Sequence, residues 1–122
     1  MRLIHGDCLE EMRKLADEGV VVGLVLCDPP YGTTACKWDS VIPLDKMWTG
    51  IKGLLKPTGA AVLFGAEPFI SCLITSNLKM FKYDLIWHKP NGTGFLDAKR
   101  KPLRNHDRTS GFFTGSNASC VF

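Results

Sequence analysis

Asp28-Pro29-Pro30-Tyr31 puts a carboxylate, two prolines and an aromatic ring in four consecutive positions. The two prolines fix φ and remove two backbone N–H groups, so the segment runs extended and offers carbonyl acceptors only. Asp28 adds a charged acceptor, Tyr31 a flat ring for stacking, and Gly32 freedom for a sharp turn. Acceptors beside a stacking ring suit an exocyclic amine on a planar heterocycle, such as adenine or cytosine lifted out of a helix. The plainer reading is a turn in which Tyr31 merely covers the core.

Such a site needs a frame to hold it. The apolar run Val20–Cys27 reads as a buried strand that ends at Asp28, and open α/β sheets place ligand chemistry at the carboxyl ends of their strands. Arg2–His5 predicts a short strand ending at Gly6-Asp7. Asp7 can then cap a helix reaching about Glu18, with Leu9, Met12, Leu15 and Ala16 on one face. A helix is expected from about Leu44 to Leu55, a strand over Ala60–Phe64, a helix from about Glu67 to Ser76 with Pro68 in its first turn, and a strand over Phe81–His88. From Pro90 the pattern breaks into Gly, Pro and basic residues and reads as an extended loop. The alternation of strands and helices predicts an α/β fold with a mostly parallel sheet and flanking helices.

At 122 residues with 45% apolar content, one modest domain with a folded core is expected. No apolar stretch approaches the roughly 18 residues that span a bilayer, and residues 1–6 do not form a signal peptide. The five cysteines form no C-x-x-C pair, and His5, His88 and His106 have no ligand spacing. The expectation is therefore reduced, mostly buried thiols, no metal and a cytoplasmic setting. The net charge of +3 is uneven: residues 1–78 carry seven Lys/Arg against nine Asp/Glu, and residues 79–122 carry eight against three. Lys99-Arg100-Lys101 with Arg104 is the tightest basic cluster. It reads either as a solvated loop or, beside a base-handling motif, as a phosphate-binding strip, with Lys89 a further phosphate ligand.

With Asp-Pro-Pro-Tyr at a strand end, the chain resembles the amino-methyltransferases of DNA. The resemblance takes in Ile4–Glu10, Gly59–Phe64, Tyr83–Lys89 and Thr93–Lys99. The order of these blocks is similar to the adenine-N6 branch, in which the catalytic half precedes the cofactor half, as found in phages and restriction–modification systems. The resemblance implies a partial Rossmann-like methyltransferase fold using S-adenosylmethionine, with double-stranded DNA carrying a flipped target base as partner. It assigns catalysis to Asp28, Pro29, Pro30 and Tyr31. The N6 protons would bond to the Asp28 carboxylate and the Pro29 carbonyl while Tyr31 stacks on the base. It assigns cofactor contacts to Asp7, Cys8 and Asp28, so Asp7 has two readings, helix cap and adenine ligand. Gly32, Thr33 and Trp38 would shape the base pocket. Phe64 either walls it or packs in the core, and Gly65, Glu67 and Trp87 fall at the same sheet edge.

The resemblance runs over residues 1–106, a partial catalytic domain, and leaves 107–122 as a divergent tail. The family's Phe-x-Gly-x-Gly motif is absent, and Gly111–Ser116 is a poor substitute. A shortened reading frame is the expectation. In that case the strand 20–27 either gains the first strand as a new neighbour or keeps an open edge. Three functions follow: adenine-N6 methylation; methylation of cytosine N4, an amide or an RNA base; or a non-catalytic nucleic-acid-binding remnant.

Overall fold

The computed structural model describes residues 1–34, 36, 37, 39–94, 96, 98–100 and 102–114. The element order is α1 (Cys8–Asp17), β1 (Val22–Cys27), α2 (Leu44–Leu54), β2 (Leu55–Gly65), α3 (Phe69–Ser76), β3 (Phe81–Thr93) and β4 (Arg104–Phe113). Asp7 caps α1 as its residue type demands, with Oδ1 accepting from the N–H groups of Leu9 at 3.0 Å and Glu10 at 3.1 Å. Gly19, at φ 77°, closes the helix, and the N–H of Val20 bonds back to the Leu15 carbonyl at 2.9 Å.

The four strands form one sheet in the order β1-β2-β4-β3. β1 pairs with β2 in parallel, and β4 lies antiparallel between β2 and β3. Three strands thus point one way, but only one of the three ladders is parallel. The sheet is an α/β sheet that is only partly parallel, short of the mostly parallel expectation. The difference arises because β4 follows β3 in the chain and pairs antiparallel beside it, so the chain reverses between them.

Several sequence expectations need correction. Residues 1–5 form no strand; Leu3 and Ile4 are exposed, and Arg2 is held at the surface by Glu18 at 2.6 Å. β3 continues through Pro90 to Thr93, with a shift of register after His88 that accommodates the residue lacking an N–H. β4 runs across the expected boundary at 106/107, so residues 107–113 lie within the sheet. Of the two outcomes for the outer edge of β1, the open edge is found: among the described residues none pairs with β1 on the side away from β2.

One face of the sheet carries the core. Register places Val25 and Cys27 beside Ala61 and Leu63, and these beside Phe112 and Ser110. α2 and α3 cover this face with Met47, Trp48, Ile51, Phe69 and Leu73, all buried. In α2 the buried residues recur at helical spacing, Met47, Trp48, Ile51 and Leu54. The Trp48 indole donates to Ser76 Oγ at 2.8 Å and ties α2 to α3, while α1 packs on α2. The other face holds Leu24, Leu26, Phe64, Phe113, Tyr83 and Trp87. No described helix covers it, so Leu24 is 57% and Leu26 65% exposed. β1 is therefore buried on one face only, not on both as its apolar run implies.

Candidate active site

β1 delivers Asp28-Pro29-Pro30-Tyr31 at its carboxyl end. There the chain leaves the sheet beside a cleft of about 410 Å³ lined by Asp28, Pro29, Pro30, Tyr31, Thr33, Thr34, Asp39 and Arg104. Pro29 is buried, Pro30 and Tyr31 are half-buried, and the Asp28 carboxylate is exposed. The Tyr31 hydroxyl donates to Asp28 Oδ1. Its ring stacks on Phe69 at the start of α3, 5.3 Å between centroids and 27° between planes. Burial first, and the bond to Asp28 second, push the phenol well above its ordinary value, so Tyr31 stays protonated and remains a donor.

A residue that sequence reasoning missed organises the loop beyond the hinge. Asp39, only 8% exposed, accepts from the N–H of Gly32 at 2.8 Å, of Thr33 at 2.9 Å and of Thr34 at 2.7 Å, and from the Thr34 hydroxyl at 2.8 Å. Gly32 sits at φ 69°, where a Cβ would also come within 2.7 Å of Val41 Cγ2, so both backbone and space call for glycine. The available signal was an acid a few residues beyond a Gly-Thr-Thr turn, the usual place for a carboxylate that collects loop amides.

The Thr34 hydroxyl and then the Gly32 amide hold the Asp39 carboxyl below its ordinary value, at about 2. The folded value lies under the unfolded one. The contribution of this clasp is therefore complete above the ordinary carboxylate range and is lost as pH falls through about 2. The Gly32, Thr33 and Thr34 amide protons are expected to stay protected from exchange at pH 5. Their resonances should move together only as the solution is acidified from about pH 4 toward 2. Amide NMR across that range checks it, and movement centred near pH 4 would show an unclasped carboxylate.

Asp7 and Cys8 lie at a second cleft, about 560 Å³, whose wall includes Pro30 and residues 40–43. Pro30 thus lines both clefts. Against the expectation of mostly buried thiols, Cys8, Cys36 and Cys72 are exposed and Cys27 is half-buried. Desolvation, and then the charge of Asp7, raise the Cys8 thiol above its ordinary value. Asp28 lines the first cleft and is not among the residues of the second.

The basic residues divide. Arg104 lines the first cleft and lies 3.8 Å from Asp107. Lys89 is drawn to the same carboxylate, at 2.5 Å. Lys99 and Arg100 are exposed on a turn, and Lys101 and Trp38 fall outside the described residues. Phe64 faces Trp87 on the uncovered side of the sheet, 6.5 Å between ring centroids, and neither walls the first cleft nor joins the buried core. Glu67 and Asp84 both bind Arg108, Glu67 at 2.6 Å. This pairing was not legible in the sequence, since its members are dispersed over the β2–α3 turn, β3 and β4.

No protein-family model matches the chain. Among solved structures it is similar to M1.HpyAVI in a crystal complex with SAM. The TM-score is 0.73 at 19% identity, over 96% of this chain and 55% of that one. It is also similar to a second crystal structure of M1.HpyAVI, with TM-score 0.69 at 19% identity over 93% and 55% of the respective chains. The Rossmann-like α/β fold is shared with these proteins. The chain spans about half the length of the structures it matches.

Proposed function

We propose that this chain carries the catalytic hinge of a DNA methyltransferase that moves a methyl group from S-adenosylmethionine to adenine N6. The observation that carries the reading is the position of the Asp28–Tyr31 hinge, at the carboxyl end of β1 with Pro30 shared by two clefts. One cleft offers acceptors and a ring, as a base requires; the other offers Asp7 and Cys8, as a cofactor's adenosine requires. M1.HpyAVI, whose fold this chain shares, is described in complex with SAM.

The second cleft fits such a group in size, since small-molecule sites run from about 300 to 1,000 Å³. Asp7 spends Oδ1 on capping α1, so Oδ2 is the acceptor it can give. When bound there, S-adenosylmethionine supplies a methyl carbon made electrophilic by its sulfonium charge. The residues of the first cleft prepare the nitrogen. Tyr31 uses only Oδ1 of Asp28, so Oδ2 can take one N6 proton, and the Pro29 carbonyl can take the other. Both bonds strengthen as positive charge develops on the nitrogen, which lowers the barrier and leaves ground-state binding almost unchanged. Phe69 supports the Tyr31 ring from one side, and the base would stack on the other. Arg104 on the cleft lining and the exposed Lys99 and Arg100 are suited to backbone phosphates.

The test is isothermal calorimetry with S-adenosylmethionine, followed by transfer of a labelled methyl group to DNA lacking methylated bases. Binding and N6-methyladenine in the nuclease digest are the expected results. N4-methylcytosine in its place would move the target to cytosine, and failure to bind the cofactor would overturn the reading.

A further inference from the structure

We propose that Asp39 sets the base selectivity of the first cleft by withholding donors: it occupies the N–H groups of the loop wall, so that amine-bearing bases are accepted and bases with an oxo group in the same place are refused. The inference rests on the reading of this cleft as a base pocket. Residues 28–31, 33 and 34 line it, with Gly32 the turn between them. Pro29 and Pro30 have no N–H, and the N–H groups of Gly32, Thr33 and Thr34, with the Thr34 hydroxyl, all point at the Asp39 carboxylate at 2.7–2.9 Å. What these residues present to a ligand is therefore acceptors, the Asp28 carboxylate and the proline carbonyls. The Thr33 hydroxyl can donate or accept and does not discriminate. Arg104, the cationic donor on the lining, comes from β4, distant in sequence from the 28–34 segment, and lies 3.8 Å from Asp107.

Donor placement discriminates more strongly than shape. An amine that meets acceptors is satisfied, whereas an oxo group in its place leaves both partners without a hydrogen and loses the water each had. A side chain at position 39 that could not accept from three amides would free them to turn into the cleft, where they would bind an oxo group. Asp39→Asn is nearly isosteric and keeps one acceptor oxygen. Its amide nitrogen cannot accept from Thr33 and Thr34, which share Oδ2. A merely structural role for Asp39 would weaken all ligands alike, whereas withholding donors changes the ratio between two ligands.

The experiment titrates the protein with 2′-deoxyadenosine and with 2′-deoxyinosine, which replaces the 6-amino group by an oxo group and adds a proton at N1. Binding is followed by amide NMR, and neither a recognition sequence nor the cofactor is needed. The unaltered chain is expected to bind 2′-deoxyadenosine at least about tenfold more tightly. In Asp39→Asn the ratio should collapse to within about threefold, with 2′-deoxyinosine gaining. A preference unchanged in Asp39→Asn would overturn the role of Asp39 and leave the base pocket standing. No preference, or no binding of either nucleoside by the unaltered chain, would bring down the base-pocket reading and this inference with it. Should Asp39→Asn fail to fold, hydrogen exchange in the unaltered chain still decides. Rapid exchange of the Gly32, Thr33 and Thr34 amides in the presence of 2′-deoxyinosine would show donors that are not withheld.

Discussion

On the function proposed above, Asp28→Asn is expected to lower methyl transfer to DNA by about 10²–10³-fold, the loss typical when one group aimed at developing charge is removed. Asparagine keeps the shape and one acceptor oxygen, so Tyr31 can still donate to it and keep its place on Phe69. What is lost is the negative charge that faces the nitrogen as it becomes positive. The fall should appear in kcat and in kcat/KM for DNA to a similar degree, because the interaction matures in the transition state. Affinity for S-adenosylmethionine should stay within about threefold, because Asp28 lines the cleft with Tyr31 and not the one with Asp7 and Cys8. Labelled-methyl transfer at saturating cofactor, with calorimetry in parallel, measures both. Transfer within about threefold of the unaltered chain would remove Asp28 from the reaction.

The hinge was legible because each of its residue types has a backbone consequence that survives any fold: two missing N–H groups, one charge, one ring. The α1 cap and α2 were legible for a similar local reason, a capping aspartate and a buried stripe at helical spacing. β4 was not. Arg104-Asn105-His106-Asp107-Arg108-Thr109-Ser110 has neither alternation nor an apolar run, and nothing local marks it as a strand. It is one because its polar side chains find partners only after folding. Arg108 reaches Glu67 and Asp84, Ser110 donates to Asp84 at 3.0 Å, and Asp107 gathers Lys89. Such a network is invisible in sequence because its members come from three separated segments. Asp39 escaped for the opposite reason: the contact is local, but three amides converging on one carboxylate is a property of the loop's path and not of its composition.

Phe112→Ala is expected to destabilise the chain by about 3–5 kcal/mol, a large share of the roughly 5–15 kcal/mol that holds a domain of ordinary stability together. Phe112 is 0% exposed, packs on Trp48 with centroids 4.6 Å apart and on Phe81 at 5.8 Å, and sits on the core face beside Ala61. Its ring therefore joins α2, β2 and β3 through the one strand that lies between β2 and β3. Truncation leaves a cavity walled by rigid rings and by helix and sheet backbone that cannot close on it, so the cost falls in the upper part of the range for core deletions. Phe112→Leu keeps most of the volume and should cost about 1–2 kcal/mol, its loss being mainly the two ring contacts. Urea unfolding followed by tryptophan fluorescence measures both variants, with slopes compared to exclude a change in the unfolded chain. If residues 107–113 were a tail laid on an independent core, Phe112→Ala would move the midpoint by less than the equivalent of about 1 kcal/mol, as at an ordinary surface site. A loss near the upper figure instead means that a segment with little apolar pattern of its own is clamped into the sheet by one core aromatic and a set of side-chain polar bonds. The carboxyl edge that presents Arg104 to the Asp28 cleft depends on that clamp.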